Sequence, residues 1–185
     1  MKLLGAILAG GASRRFGSDK ADALLNGRKL VDHVVEALRR DCDALVICGR
    51  THPPIPRLED LPATGLGPLG GLCAALVHGR DAGFDAVLAV PCDAPNLPAD
   101  LLLRLAQSGQ PAYVADQPVI GLWPCVLADR LRRHLEQNAD RSLRAWARAA
   151  EAMRVELPRT ICNINTPDDL AVLQQRSAPS NDPGG

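Results

Sequence analysis

Aromatic side chains are scarce in this chain: two Phe, one Tyr and two Trp make up 3% of its 185 residues. Proteins that grip single-stranded nucleic acid stack bases on such rings, so the scarcity speaks against that class. An excess of charge of either sign is missing too, since Lys plus Arg (21) equals Asp plus Glu (21). No global field draws the chain to nucleic acid or to an anionic membrane, and any anion site must be local. No run of about 20 apolar residues exists to span a bilayer. Met1-Lys2 leads into an apolar run too short for a signal peptide, with Gly10-Gly11 behind it. The six cysteines, Cys42, Cys48, Cys73, Cys92, Cys125 and Cys162, include no pair two or three residues apart, so zinc-type spacing is lacking. These absences predict a cytoplasmic protein with reduced thiols and with neither nucleic acid nor membrane as a partner.

What is present is an aliphatic core and an alternation of elements. Hydrophobic residues account for 46% of the chain, enough for one domain over 1–176, with a polar, Pro/Gly-rich tail at 177–185 expected to be disordered. Apolar runs at Leu3–Leu8, Ala44–Cys48 and Ala86–Val90 predict buried strands, and weaker ones follow at Ala112–Ala115, Val119–Leu122 and Met153–Leu157. Between them, helical spacing covers Leu30–Arg40, a stretch opening at Gly67–Gly71, one whose first turn holds Pro98 and Asp100, Cys125–Gln137, Ser142–Ala149 and Pro167–Gln175. The alternation implies an α/β fold, a Rossmann-like three-layer α/β/α arrangement around a mainly parallel sheet. Ligands in such sheets bind at the carboxyl ends of the strands. The loop after Leu8, the Gly49-Arg50 stop and the segment Pro91–Pro95 would all lie on that rim.

The first of these loops, Gly10-Gly11-Ala12-Ser13-Arg14-Arg15-Phe16-Gly17-Ser18-Asp19-Lys20, joins a buried strand to glycines, two arginines and a lysine. Glycines let backbone N–H groups approach an anion, and the cations neutralise it. Its spacing matches neither the P-loop nor the dinucleotide pattern Gly-x-Gly-x-x-Gly. A glycine-rich turn with no ligand is the plain alternative. Asp93, between Pro91 and Pro95, is placed either to hold Mg²⁺ through oxygen or to serve as an ordinary turn residue. Glu59-Asp60 reads by default as a solvated acidic pair in a loop. Arg141-Ser142-Leu143-Arg144 suits either a bulky anion or an amphipathic helix.

The series from Leu8-Ala9-Gly10-Gly11 to Lys20-Ala21 resembles the nucleotide-binding motif of nucleotidyltransferases related to molybdenum cofactor guanylyltransferase. The likeness continues through Gly67-Pro68-Leu69-Gly70-Gly71, Pro91-Cys92-Asp93-Ala94-Pro95 and Pro118–Pro124, and ends in Asn163-Ile164-Asn165-Thr166-Pro167. The resemblance implies a nucleotidyltransferase-type fold and transfer of GMP from GTP to molybdopterin (the molybdenum cofactor), with Mg²⁺ as cofactor and pyrophosphate released. By position it implies that Leu8, Ala9, Gly10 and Gly11 line the nucleotide, Lys20 contacts its phosphates, Asp60 binds nucleotide, and Asp93 binds both metal and nucleotide. Lys20, Arg14 and Asp93 would be the catalytic set, with Asn163 and Asn165 at the acceptor. Molybdoenzymes or their chaperones would receive the product. The chain departs from the family at the end of the second strand, where Ile47-Cys48-Gly49-Arg50 stands in place of a frequent asparagine. Its Leu-Ala-Gly-Gly spelling is similar to guanylyl enzymes, whereas cytidylyl relatives tend to read Leu-Ala-Ala-Gly. A sister enzyme using CTP or another phosphate acceptor, and a non-enzymatic nucleotide-binding regulator, are the competing expectations.

Overall fold

The structure is a computed structural model that describes residues 1–9, 23–107, 109–164 and 168–172. In chain order it contains β1 (Leu3–Leu8), β2 (Leu24–Leu25), β3 (Arg28–Lys29), α1 (Leu30–Arg39), β4 (Ala44–Cys48), β5 (Arg57–Leu58), α2 (Pro68–Asp81) and β6 (Ala86–Pro91). There follow α3 (Leu101–Ala106), β7 (Ala112–Val114), β8 (Gln117–Pro124), a 3-10 turn at Cys125–Leu127, α4 (Ala128–Gln137), α5 (Leu143–Ala149) and β9 (Met153–Val155). A seven-stranded sheet has the order β5-β4-β1-β6-β8-β7-β9, with only β8 running against the others. The α/β class and the mainly parallel sheet are as the alternation predicts.

Both faces of the sheet are covered. Along β1, Leu3 and Ile7 join the core shared with α1 and α3, while Leu4, Ala6 and Leu8 join the core shared with α2, α4 and α5. The two-residue alternation of a strand therefore feeds both layers, and because both are apolar the strand reads as an unbroken hydrophobic run. Trp123 and Trp146, fully buried with ring centroids 6.0 Å apart, fill the second layer between β8 and α5.

Several boundaries differ from the sequence expectations. The helix after Pro98 begins only at Leu101, because Asp100 adopts φ −98°, ψ 13°, outside the extended region that a capping residue uses. Its carboxylate pairs instead with Arg104, at 2.6 Å. The stretch Cys125–Gln137 divides into the tight 3-10 turn and α4. β8 is longer than the expected Val119–Leu122, and Pro118 is accommodated where the β7–β8 register shifts. The β2–β3 hairpin escaped periodicity altogether, since its strands have two residues each. Its signal is the turn, Asn26 (φ 51°) and Gly27 (φ 77°), the paired positive φ of a type I′ hairpin. Of the last expected helix, residues 168–172 are helical. Thr166, Pro167 and the tail 177–185 lie outside the described residues.

Candidate functional site

Three parallel strands end level with one another. Leu8 at the end of β1 is paired with Cys48 of β4 on one side and with Pro91 of β6 on the other. The register continues one step further, as Ala9 N–H donates to Cys48 O (2.9 Å) and Cys92 N–H donates to Leu8 O (3.3 Å). Ala9, the last described residue before the glycine- and cation-rich segment, therefore lies between the ends of β4 and β6. Gly10, Gly11, Arg14, Lys20 and Asn165 lie outside the described residues, and what locates the loop is its root at Ala9. Leu8 contributes position alone, because its side chain is core, 6% exposed and packed in the α2 layer.

Asp60 and Asp93 flank that root. Asp60 follows β5, whose Leu58 is level with Cys48, and Asp93 follows β6 by two residues. Three interstrand steps separate β5 from β6, roughly 14 Å, a distance that base, ribose and phosphates laid end to end can bridge. Burial pushes the Asp60 carboxyl above its ordinary value of 3.8, and Glu59 adds to the rise while the Gly65 N–H, bonded to the carboxylate, opposes it. The start of α2 closes against it, since a Cβ on Gly70 would lie 3.0 Å from Asp60 Cβ and Cγ. Gly67, the residue before α2, has φ 65° with ψ −154°, a conformation reserved for glycine. Next to Gly70, Gly71 sits where a Cβ would approach Cys48 Cβ to 2.9 Å and Leu8 Cδ2 to 3.1 Å. Gly71→Ala is expected to destabilise the fold by about 1–3 kcal/mol through overpacking, read as a lower midpoint in denaturant.

The raised Asp60 pKa has a consequence for stability. Below pH 3.8 the carboxyl is protonated in the folded and unfolded chain alike and contributes no difference. As pH rises through the shifted value, the folded state must carry a charge it disfavours, and stability is lost. Asp60→Asn is therefore expected to raise the melting temperature relative to the parent at pH 7 more than at pH 3.5. Equal effects at both pH values would contradict the burial cost.

The segment around Asn163 is clipped to the Asp93 turn. Ile164 N–H donates to Asp93 O (3.0 Å), and Cys162 N–H donates to Asn96 Oδ1 (3.2 Å). The Ile164 side chain is fully buried with Leu25 and Leu30, against Ala23 and Leu170. The apolar residue between the two asparagines is thus the anchor, and Asn163 is placed beside the turn. Asn96 carried no sequence signal as a clip, because its role depends on a segment 66 residues away. On the far side of Asp93 from Asp60, an open groove of about 430 Å³ lies between the β7–β8 turn (Asp116, Gln117), the start of α5 (Ser142, Arg144) and Asn163.

Magnesium is held through one or two carboxylates and completed by phosphate oxygens and water. Among the described residues no three His, Cys, Asp or Glu gather into a metal cage. The carboxylate of Asp93, two residues past the end of β6 whose Pro91 is paired with Leu8, fits an ion completed by its substrate.

A family model described as MobA-like NTP transferase domain matches residues 5–155. The chain belongs to the MobA-like NTP transferase family. A molybdenum cofactor guanylyltransferase of Cereibacter sphaeroides is 37% identical over 186 residues, covering 92% of this chain and 95% of that protein. Among solved structures, a molybdopterin-guanine dinucleotide biosynthesis protein A from Archaeoglobus fulgidus superposes with a TM-score of 0.75 at 23% identity, covering 95% of this chain and 98% of the other. The 2-C-methyl-D-erythritol 4-phosphate cytidylyltransferase of Thermus thermophilus gives 0.71 at 17% identity, with 95% and 98% covered. Both likenesses establish the nucleotidyltransferase-type fold, which guanylyl and cytidylyl enzymes share. The MobA-like match spans the rim from β1 to β9, so Asp60, Asp93 and the root of the loop all fall within it. Among the described residues no helix is long and apolar enough to cross a membrane.

Proposed function

We propose that the chain transfers GMP from GTP to molybdopterin, forming molybdopterin guanine dinucleotide and pyrophosphate. The observation that carries this reading is the convergence at one rim. The loop root at Ala9, with Asp60 to one side and Asp93 and the Asn163 segment to the other, supports a reading in which the nucleotide lies toward Asp60 and the acceptor toward Asn163. A fold shared with a cytidylyltransferase does not choose the base. The Gly10-Gly11 pair and the identity to a guanylyltransferase favour guanine.

The reaction needs no protein base. A phosphomonoester has a second pKa near ~6, so the terminal phosphate of molybdopterin is largely ionised at neutral pH. Its oxygen forms a bond to the α-phosphorus of GTP as the bond to the pyrophosphate oxygen breaks. The obstacle is the approach of two polyanions, which positioning and charge neutralisation must overcome. Bound Mg²⁺ would supply positive charge at the phosphate oxygens. Asp93 would hold that ion, and its place in the turn is kept by the Ile164 bond. Lys20 and Arg14 would offset the charge that develops on the departing pyrophosphate. Asp60, Ala9, Gly10 and Gly11 would seat the nucleoside, with Leu8 serving through the position of its backbone at the end of β1, and Asn163 and Asn165 would meet the acceptor. All six cysteines are free thiols, which suits a reducing, cytoplasmic location. Molybdoenzymes or their chaperones would take up the product.

Incubation with GTP labelled at the α-phosphate, molybdopterin and Mg²⁺ tests the reading. Label is expected in a dinucleotide that releases GMP on hydrolysis. Label remaining in GTP and GDP would contradict it.

A further inference from the structure

One end of the sheet is β9, and among the described residues no strand pairs with its outer side. Met153 and Val155 turn main-chain groups inward, where Met153 N–H donates to Pro111 O (2.7 Å) and Ala115 N–H donates to Val155 O (2.9 Å). Successive residues of a strand point these groups to opposite sides, so Arg154 presents its N–H and C=O to the open edge. Arg154 and Glu156 form an exposed ion pair of 2.9 Å. That pair places both side chains on one face, as extended backbone does for residues two apart. Met153 and Val155 belong to the other face, and Met153 is 46% exposed. Such an edge is a template for another strand unless its charges forbid the pairing.

Here the charges select a partner. Between Ala150 and Thr160 the charged residues are Glu151, Arg154, Glu156 and Arg159. Counted outward from Val155, Arg154 matches Glu156 and Glu151 matches Arg159, each with its opposite at the same separation. Apolar Met153 and Leu157 match in the same way. The geometry points to β9 as a dimerisation edge, paired antiparallel with β9 of a second copy about a two-fold axis at Val155. Arg154 and Glu156 then exchange N–H···O bonds with Glu156 and Arg154 of the second copy, and opposite charges lie directly across. Slipping the axis by one residue would set Arg154 against Arg154, or Glu156 against Glu156. An isologous contact of this kind closes on itself as a dimer. Edges this short bury less than the ~1,200–2,000 Å² of a stable complex, so a weak dimer is expected, with Kd on the order of 10–100 µM. The two-fold reverses the strand direction, so the rims of the two copies face opposite ways and neither site borrows a residue. Dimerisation is thus independent of the transfer chemistry.

Sedimentation velocity of the full chain from ~1 µM to ~200 µM reads the association. The parent is expected to pass from monomer to dimer over that range. Arg154→Glu and Glu156→Arg each set like charges across the axis and are expected to remain monomeric throughout. Both side chains are more than half exposed, 61% and 67%, so the circular dichroism and melting temperature of each variant should match the parent's. An equimolar mixture of the two variants should dimerise, because one supplies two carboxylates and the other two guanidinium groups. The double variant Arg154→Glu/Glu156→Arg should dimerise as the parent does. Hydrogen exchange at the Arg154 amide should slow as the parent's concentration rises. A parent that stays monomeric, a dimer indifferent to the single reversals, or a mixture that fails to associate overturns the assignment. Protection of the Arg154 amide at monomeric concentration would give the edge to another segment of this chain, and overturns it as well.

Discussion

Asp93→Asn is expected to lower Mg²⁺-dependent kcat/KM by on the order of 10²–10³-fold, the scale of losing one preorganised electrostatic contact in a transition state. The substitution keeps the side-chain shape and removes the negative charge, so the amide oxygen is a far poorer partner for a hard divalent cation. The local backbone should survive, because the group that holds Asn163 in place is the main-chain carbonyl of residue 93, which accepts from Ile164 N–H whatever the side chain. Pro91 and Pro95 stiffen the same turn. The melting temperature is therefore expected to stay near that of the parent, and the loss should be partly recovered at high Mg²⁺ or Mn²⁺. Metal-dependent turnover equal to the parent's would remove Asp93 from the metal role.

Lys20→Ala is expected to cost ~2–4 kcal/mol in transition-state stabilisation, about 30- to 1,000-fold in kcat/KM. The reasoning is electrostatic. Charge passes from the bridging oxygen to the pyrophosphate as the bond breaks, and a cation aimed there is worth more in the transition state than in the bound substrate. Most of the loss should thus fall on kcat, with a smaller rise in KM for GTP. Lys20→Arg should restore part of it by keeping the charge. The loop that carries Lys20 starts at Ala9, between the ends of β4 and β6 and next to the Asp93 turn. A Lys20→Ala enzyme with near-parental kcat/KM would place the leaving group elsewhere.

The parallel strands at the centre of the sheet were legible because each is an unbroken apolar run ending in glycine or proline, and burial on both faces demands such a run. The same logic placed the rim, and with it Asp93 and the root of the loop. What local pattern could not supply were relations between distant segments. Asp60 looks like half of a solvated acidic pair until α2 brings Gly70 to within a Cβ of it. Asn163 gains its place from Ile164, whose burial depends on the β2–β3 hairpin and the start of α1. That hairpin was itself hidden, its strands being too short for any periodicity and its signal resting in Asn26-Gly27 alone. The groove residues Asp116 and Gln117 looked like a turn between weak strands, and only the packing of α5 against β8 gives them an opposite wall.

Pyrophosphate release measured with GTP, CTP and ATP in turn, each with and without molybdopterin and in the presence of Mg²⁺, bears most directly on the reading of this chain as a guanylyltransferase. Release with GTP that requires molybdopterin, and little with CTP or ATP, is the predicted result. Release with CTP alone, or with no dependence on molybdopterin, would contradict it.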